Sequence, residues 1–446
     1  MSAPSQFAER SSLPPRLDRM DPASLRRYFI NTWELYEWLF SAIRRDGALY
    51  EAPDPLRQPL IFYLGHTAVF YINKLKLAGL IGSGLNEHFE ELFAVGVDPA
   101  KASELAEEAW PAESEVRLYR EDVYYFMLDQ IERFDLSGPI TDAHPAWAVL
   151  MGLEHDRIHF ETSSMLIRQY PPAYLGRPEG WEYGPEGGPA PTPRMIDIEG
   201  GDVRLGKPDA AQTFGWDSDY GKLDVVVGPF AVGRDPVTNG EFMEFVREGG
   251  YETQGLWTDE GWAWRTETDA RHPRFWVHRE GDFQYRAMFD LLAMPESWPV
   301  EVNALEAAAF CAWRGDGARL PTEAEFQLLA ASAPQVDGDC LFSDAYNLNL
   351  VHGSPTPVGL SEAGRTGDGL NDLFGNVWEW LADDFAGLPG FEAHRLYRDF
   401  SEPFMDSDHS MLAGCSWASS GVGASRYYRL WFRRNFFQHA GFRIAR

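Results

Sequence analysis

The chain has 446 residues, and its 39 basic and 68 acidic residues give a net charge of −29. This charge repels phosphate backbones and anionic lipid surfaces, so neither nucleic acid nor a membrane is an expected partner. The three cysteines form no CxxC pair, and no apolar run reaches the length of a bilayer span or resembles a leader peptide. We therefore expect a cytoplasmic protein of two or three domains with reduced cysteines.

The first 170 residues predict long helices. Asp21 and Pro22 are typical of a helix start, and apolar residues follow at spacings of three and four up to about Arg45. Further helices are predicted over about 59–80, 114–133 and 145–168. Four such helices indicate a bundle, in which inward side chains on facing helices build metal and ligand sites.

Two histidines, His155 and His159, stand four residues apart in the fourth predicted helix. Residues at this spacing lie on one helix face, so both imidazoles can bind one ion. His66, a lone histidine in an apolar run of helical length, is the best candidate for a third ligand. The alternatives are a structural core histidine and an incidental pair. Three neutral imidazoles suit zinc with one open position, or iron(II) with open positions for two substrates and dioxygen.

Residues 171–194 are rich in Pro, Gly and Glu and predict a linker between a helical domain over 20–170 and a second domain over 195–446. Beyond this linker, short apolar runs alternate with Gly, Pro and Trp. Helices are predicted only near 302–314 and 322–331. The pattern favours an irregular, loop-rich domain.

A cationic cluster of four arginines within nine residues lies near the end of the chain. Guanidinium groups match carboxylates, so Arg426, Arg429 and Arg433 are candidates for substrate binding. The interleaved Tyr427 and Tyr428 are candidates for a catalytic proton donor. The alternative is that the arginines pair with acidic residues of the fold while the aromatic rings pack in the core.

Two further segments are typical of fold-defining turns with buried tryptophans: ARLPTEAEF over Ala318–Phe326 and NDLFGNVWEW over Asn371–Trp380. Together with Gly228–Phe230 and Val237–Phe242, they resemble the formylglycine-generating (sulfatase-modifying) enzymes over about 195–446. The resemblance implies a C-type-lectin-like α+β domain. Formylglycine generation needs a cysteine pair near the end of this domain, and residues 435–443 contain none, so that activity is not expected.

The first domain resembles the DinB-like four-helix bundles, and a bundle followed by such a domain is the architecture of the non-haem iron sulfoxide synthases. These enzymes use iron(II) and dioxygen to attach sulfur to the imidazole ring of histidine or of its betaine, hercynine. The resemblance implies that His66, His155 and His159 bind the iron. HDRIHFE over His155–Glu161 looks like the HxxxHxE of the ovothiol-pathway 5-histidylcysteine sulfoxide synthases rather than the glutamine-rich motif of the ergothioneine pathway. The segments 29–36, 54–57, 91–99 and 436–443 point the same way.

Ovothiol synthases normally continue into a methyltransferase domain, whereas the selenoneine synthases resemble the two-domain core found here. We therefore favour a selenoneine synthase, which joins the selenium of a seleno-sugar to hercynine. The first alternative is the ovothiol-type reaction of histidine with cysteine, and a thio-sugar is a further donor to test. A DinB-type thiol transferase with zinc or another divalent ion also fits the bundle, and a lectin-like binding module without catalysis fits the second domain. An oligomer is compatible with the sequence, and Cys415 is expected to be a small buried apolar residue.

Overall fold

The computed structural model describes residues 11–94, 109–138, 140–208, 212–334 and 339–446. Residues 95–99 of the segment 91–99 lie outside these ranges. The chain divides into two compact units, which we call the bundle unit (Glu9–Gly180 with Gln212–Phe214) and the sheet unit (Trp181–Ala211 with Gly215–Arg446). None of the helices in the described ranges combines the length and the apolar character that crossing a bilayer requires.

In its described residues, the bundle unit contains four long helices and one short one. They are α1 (Pro22–Phe40), α2 (Leu60–Leu77), α3 (Glu87–Leu92), α4 (Glu113–Arg133) and α5 (Trp147–Gln169). The long helices lie within a few residues of the predicted ones at most of their ends. The short helix α3 was not predicted.

The largest difference is at the end of α1, which stops at Phe40 rather than near Arg45. Its start is as expected, since the Asp21 side chain accepts a hydrogen bond from the backbone N–H of Ser24 at 2.7 Å and Pro22 follows the cap. Beyond the helix, Ile43 forms an isolated β-bridge with Leu175. The apolar spacing up to Ile43 therefore reflects tertiary contact rather than continued helix.

Helix α2 is buried on nearly all sides from Leu60 to Ile72. A helix that is apolar all round is typical of a core position. Helix α5 is also largely buried, but it carries charged and imidazole side chains in its buried middle. The two helices pack against each other, α1 contacts α4 and α5, and α4 contacts α2.

The sheet unit mixes short strands and short helices. Its strands are β1 (Met195–Ile198), β2 (Gly201–Leu205), β3 (Leu223–Val227), β4 (Phe230–Gly233), β5 (Trp276–Arg279), β6 (Asp282–Arg286), β7 (Leu291–Ala293), β8 (Trp378–Asp384), β9 (His409–Ala413), β10 (Leu430–Arg433) and β11 (Ala440–Gly441). Its helices are α6 (Asn239–Arg247), α7 (Asp259–Thr268), α8 (Ala304–Arg314) and α9 (Glu323–Ala330).

The largest sheet has four strands in the order β10-β9-β8-β11, with β11 parallel to β8 and the other pairs antiparallel. Two two-stranded sheets, β1-β4 and β2-β3, and a three-stranded sheet, β5-β6-β7, complete the described strands. The fully buried Arg443 donates hydrogen bonds to Glu379 of β8 at 2.8 and 3.1 Å and to several backbone carbonyls. The predicted α+β class, a helical bundle followed by a domain built on short strands, is confirmed.

Candidate metal centre

Helices α2 and α5 bring three imidazoles together inside the bundle unit. Nε2 of His155 lies 3.2 Å from Nε2 of His66 and 3.1 Å from Nε2 of His159. One ring nitrogen from each histidine lies within 4.8 Å of those of the other two, and all three side chains are buried. Within the described part of the chain, no other group of three metal-binding side chains meets this distance limit.

The spacing of these nitrogens fits a shared ion. An ion about 2.1 Å from each nitrogen places neighbouring donors roughly 3.0 to 3.4 Å apart, for right-angled and tetrahedral arrangements respectively. The observed separations of 3.1 and 3.2 Å fall in this interval. Neutral imidazole suits zinc, copper, iron and nickel, and three such donors leave positions for further ligands on an ion that prefers six.

Burial keeps the three imidazoles in the neutral form that binds metal. It lowers the pKa of His66 to about 4, although the hydrogen bond to the Phe93 carbonyl acts in the opposite direction. The pKa values of His155 and His159 are also held well below the usual range, first by burial and then by the neighbouring imidazoles. At neutral pH the histidines therefore offer lone pairs rather than positive charges.

Aromatic rings on α2 hold the histidines from the side. Phe62, His66 and Phe70 follow one another at spacings of four, and the ring of Phe62 stacks on His66 at a centroid distance of 5.0 Å. Phe70 stacks on His155 at 3.5 Å, with 9° between the ring planes. These two residues were not predicted from the sequence, although their spacing of four from His66 was a signal that could have found them.

A buried polar network fixes α5 behind the histidines. Asp156 accepts a hydrogen bond from the Tyr71 hydroxyl of α2 at 3.0 Å, and burial raises the pKa of Asp156 to about 8. Arg157 donates to Thr32 of α1 at 3.1 Å, and its guanidinium carbon lies 4.2 Å from the centre of the Tyr28 ring. These contacts tie α5 to α1 and α2, which limits how far the two histidines of α5 can turn.

The arginines predicted to bind substrate lie in the sheet unit and have different surroundings. The Arg429 guanidinium donates to both carboxylate oxygens of Glu323 at 2.6 and 2.9 Å and also to two backbone carbonyls. Its donors are thus used inside the fold. Arg433 lies 3.5 Å from the exposed Asp408. The fourth arginine of the cluster, Arg434, is paired with Asp384.

Arg426 differs from Arg429 and Arg434 in its surroundings. Its Nε and Nη2 atoms are buried and have no hydrogen-bond partner among the described residues. Next to it, Tyr427 is half-buried and Tyr428 is buried, with the Tyr428 ring 5.9 Å from the ring of Trp378. Burial raises the pKa of Tyr427, while the positive charge of Arg426 lowers it. The Tyr427 hydroxyl therefore keeps its proton at neutral pH.

Cys415 is buried just after β9, and its backbone has a positive φ of 67°. Its thiol faces the carbonyl of Ser425 at 3.7 Å. Cys311 and Cys340 are also buried, and all three cysteines are free of disulfides.

Sequence comparisons place known families on both units. The family model of the DinB superfamily matches residues 28–163, and that of the sulfatase-modifying factor enzyme 1-like domain matches residues 184–446. Hercynine oxygenase from Mycolicibacterium thermoresistibile is 30% identical to this chain, over 90% of this chain and 90% of its own length. Hercynine oxygenase from Mycolicibacterium smegmatis is 28% identical, over 90% and 94% respectively.

A fungal protein, ergothioneine biosynthesis protein 1 from Schizosaccharomyces pombe, is 24% identical over 92% of this chain. The match covers 53% of the fungal protein. Similarity to these relatives therefore extends over both units of the chain and includes the helices that carry the three histidines.

We expect the protein to bind one divalent ion per chain through the three histidines, and His155→Ala to weaken this binding more than about a hundredfold. That figure exceeds the effect of losing an outer-shell partner, because a direct donor is removed. Metal analysis after anaerobic loading with iron(II), followed by desalting, measures the bound ion. His144→Ala, which alters a partly exposed histidine just before α5, is the control and should bind like the unsubstituted protein. Equal metal content in the two variants would contradict the assignment.

Proposed function

The chain belongs to the family of the non-haem iron sulfoxide synthases, and we propose that it uses iron(II) and dioxygen to join a chalcogen to the imidazole ring of hercynine. The observation that carries this proposal is the convergence of three buried imidazoles at separations of 3.1 and 3.2 Å. Its support from the comparisons is the 30% identity to a hercynine oxygenase over 90% of the chain.

His66, His155 and His159 are the proposed iron ligands. Iron(II) bound there would supply the redox chemistry that lets dioxygen react with a closed-shell thiol or selenol, which redox-inert zinc cannot supply. The protein's own part is to present neutral nitrogen donors and keep them in place. Burial of the imidazoles and the stacking of Phe70 on His155 support this role.

The overall reaction balances without any further oxidant. The donor loses its S–H or Se–H hydrogen, and the imidazole carbon loses its C–H hydrogen as the new carbon–chalcogen bond forms. One oxygen atom of dioxygen remains on the chalcogen as the oxide, and the other leaves as water with the two hydrogens. Dioxygen thus accepts four electrons, two from bond formation and two from oxidation of the chalcogen.

As the chalcogen donor we propose a seleno-sugar, which makes the protein a selenoneine synthase. The motif His155–Glu161 departs from the glutamine-rich motif of the ergothioneine branch and looks like that of the ovothiol enzymes, so it supports a donor and product outside the ergothioneine branch. The alternative is the ovothiol-type reaction of histidine with cysteine. A thiol transferase that uses a divalent ion without dioxygen is a third candidate.

Arg426 is the proposed carboxylate-binding residue. Buried guanidinium N–H groups without an acceptor are costly, and a carboxylate that accepts from both Nε and Nη2 removes that cost. Hercynine carries such a carboxylate. Arg429 is assigned to the fold instead, because its donors already bind Glu323 and backbone carbonyls. Arg433 remains a second candidate for binding substrate.

Tyr427 is the proposed proton donor. A proton donor must reach the substrate while keeping its proton, and a half-buried tyrosine with a raised pKa meets both conditions. Tyr428 is the alternative, but its ring packs on Trp378 of the central strand β8. The positive charge of Arg426 beside Tyr427 also favours the transient phenolate that proton transfer leaves behind.

The first experiment measures dioxygen uptake by the iron(II)-loaded protein with hercynine or histidine, each paired with a seleno-sugar, a thio-sugar or cysteine. Mass spectrometry identifies the products. We expect the highest turnover and a selenium–imidazole product with hercynine and the seleno-sugar. Turnover mainly with histidine and cysteine would replace this proposal by the ovothiol alternative. Product formation without dioxygen, or with the zinc-loaded protein, would contradict the oxidative reaction altogether.

Loss of the carboxylate-binding residue should appear as weaker substrate binding. We expect Arg426→Gln to raise KM for hercynine roughly 10- to 100-fold, because a charge-assisted pair contributes about 1.5 to 3 kcal/mol. A hercynine analogue without the carboxylate provides the sharper measurement. It should react equally with both proteins if Arg426 binds that group. Arg434→Gln is the matched control, since Arg434 is paired with Asp384. A similar KM change in the control would contradict the assignment.

The two tyrosines can be separated by removing one hydroxyl at a time. We expect Tyr427→Phe to lower kcat by about 10²-fold or more, which is the usual contribution of a positioned proton donor. The neighbouring Tyr428→Phe should retain most of the activity. Single-turnover measurements of product under saturating substrates test this difference. If Tyr428→Phe is the slower variant, the roles of the two residues are reversed.

A further inference from the structure

The orientation of His66 depends on a backbone carbonyl outside its own helix. Nδ1 of His66 lies 2.7 Å from the carbonyl oxygen of Phe93, the C-cap residue that directly follows α3. A carbonyl can only accept, so Nδ1 carries the proton and donates it. The lone pair is then on Nε2, the nitrogen that faces the other two histidines. By contrast, Nδ1 of His159 has no hydrogen-bond partner in the described ranges.

We infer that the end of α3 sets the tautomer and the orientation of His66, and that Gly65 and Glu90 are the positioning residues that hold it there. The inference rests on the proposed metal centre. It adds a group of residues on which the metal affinity of the site depends. None of these residues would touch the ion or a substrate.

Gly65 allows Phe93 to approach α2. A Cβ atom at position 65 would lie 2.7 Å from three atoms of the Phe93 ring. Such contacts cannot persist, so any larger residue must displace the ring. The ring has little room to move, because it packs against Phe89 at 5.6 Å and Trp110 at 5.8 Å between centroids. A side chain at position 65 therefore moves the Phe93 backbone away from His66.

Glu90 fixes the other end of the short helix. Its buried carboxylate accepts hydrogen bonds from the backbone N–H groups of Leu85 at 2.7 Å and Asn86 at 3.0 Å, and from the Lys76 ammonium at 3.1 Å. Its backbone carbonyl accepts a further bond from Asn73 of α2 at 2.8 Å. Helix α3 has only six residues, too few to be stable alone, so these contacts decide where it lies.

The two ends of α3 thus have different tasks. Glu90 secures the helix to α2 at Asn73 and Lys76, and the end at Phe93 presents its carbonyl to His66, which lies earlier in α2 than these two residues. Outer-shell partners of this kind fix the ring of a metal-binding histidine and commonly change metal affinity 10- to 100-fold.

The test compares Gly65→Ala with Gly152→Ala in the full-length protein. Gly152→Ala is the control for the His66 tautomer alone, since a Cβ atom there would press on the ring of Tyr71 and not on that of Phe93. Protein labelled with 15N at histidine shows the tautomer of each ring in long-range 1H–15N spectra without metal, and His66→Gln assigns the His66 signals. Titration with cobalt(II) gives the affinity.

We expect Gly65→Ala to convert the Nδ1–H pattern of His66 into a mixture of tautomers and to weaken cobalt(II) binding roughly 10- to 100-fold. Gly152→Ala should keep the His66 pattern. Glu90→Gln is a smaller change and should shift the His66 tautomer and the cobalt(II) affinity in the same direction. It replaces Gly65→Ala in the test if that variant does not fold. Unchanged tautomer and affinity in folded Gly65→Ala or, failing that, in Glu90→Gln would overturn the inference. Neither readout requires turnover, so this outcome is independent of the identity of the substrate.

Discussion

The packing of α2 against α5 is the contact on which the candidate site depends. It places one histidine of an almost wholly apolar helix against two histidines of a helix whose buried middle is polar. Burying imidazoles and charged groups is unfavourable unless each finds a partner. The bundle meets this requirement through specific contacts that cross between helices, among them Tyr71 with Asp156 and Arg157 with Thr32.

These contacts also determine the register of the two helices. An apolar interface tolerates small shifts, because one aliphatic contact replaces another at low cost. Hydrogen bonds between buried groups do not tolerate such shifts, since a displaced partner leaves both groups unsatisfied. A shift of α5 along α2 would break the bond between Tyr71 and Asp156 and separate His155 from Phe70. The polar network therefore supports the precise placement that a three-histidine site needs.

Sequence patterns predicted the features that repeat locally. Spacings of three and four marked the long helices, and the same periodicity put His155 and His159 on one face. The end of α1 was predicted wrongly because Ile43 continues the apolar spacing while pairing with Leu175, far away in sequence. The contact between His66 and Phe93 could not be predicted either, since a backbone carbonyl is present in every residue and leaves no trace in the side-chain pattern. The roles of the predicted site residues stay predictions until they are measured.

The arginine cluster shows why residue type alone does not assign a role. Four arginines within nine residues look equivalent in the sequence, but Arg429 is bound to Glu323, 106 positions away, and Arg434 to Asp384, 50 positions away. Each of these pairs satisfies buried or partly buried charge inside the fold. Arg426 differs in that two of its buried donors meet no acceptor among the described residues. A ligand that supplies the acceptor would remove that cost, so the surroundings of Arg426, and not its charge, support the proposal that it binds substrate.

The residues between the two histidines of α5 also take their roles from their surroundings. At about 100° per residue, Arg157 points away from the face shared by His155 and His159, while Asp156 and Ile158 flank it on either side. Asp156 and Arg157 are buried and hydrogen-bonded to other helices, so these polar contacts stabilise the bundle. Ile158, on the other side of that face from Asp156, is half-buried. An aliphatic side chain at that position excludes water without binding a polar group. The residues between the two histidines therefore act on the packing around the donor nitrogens.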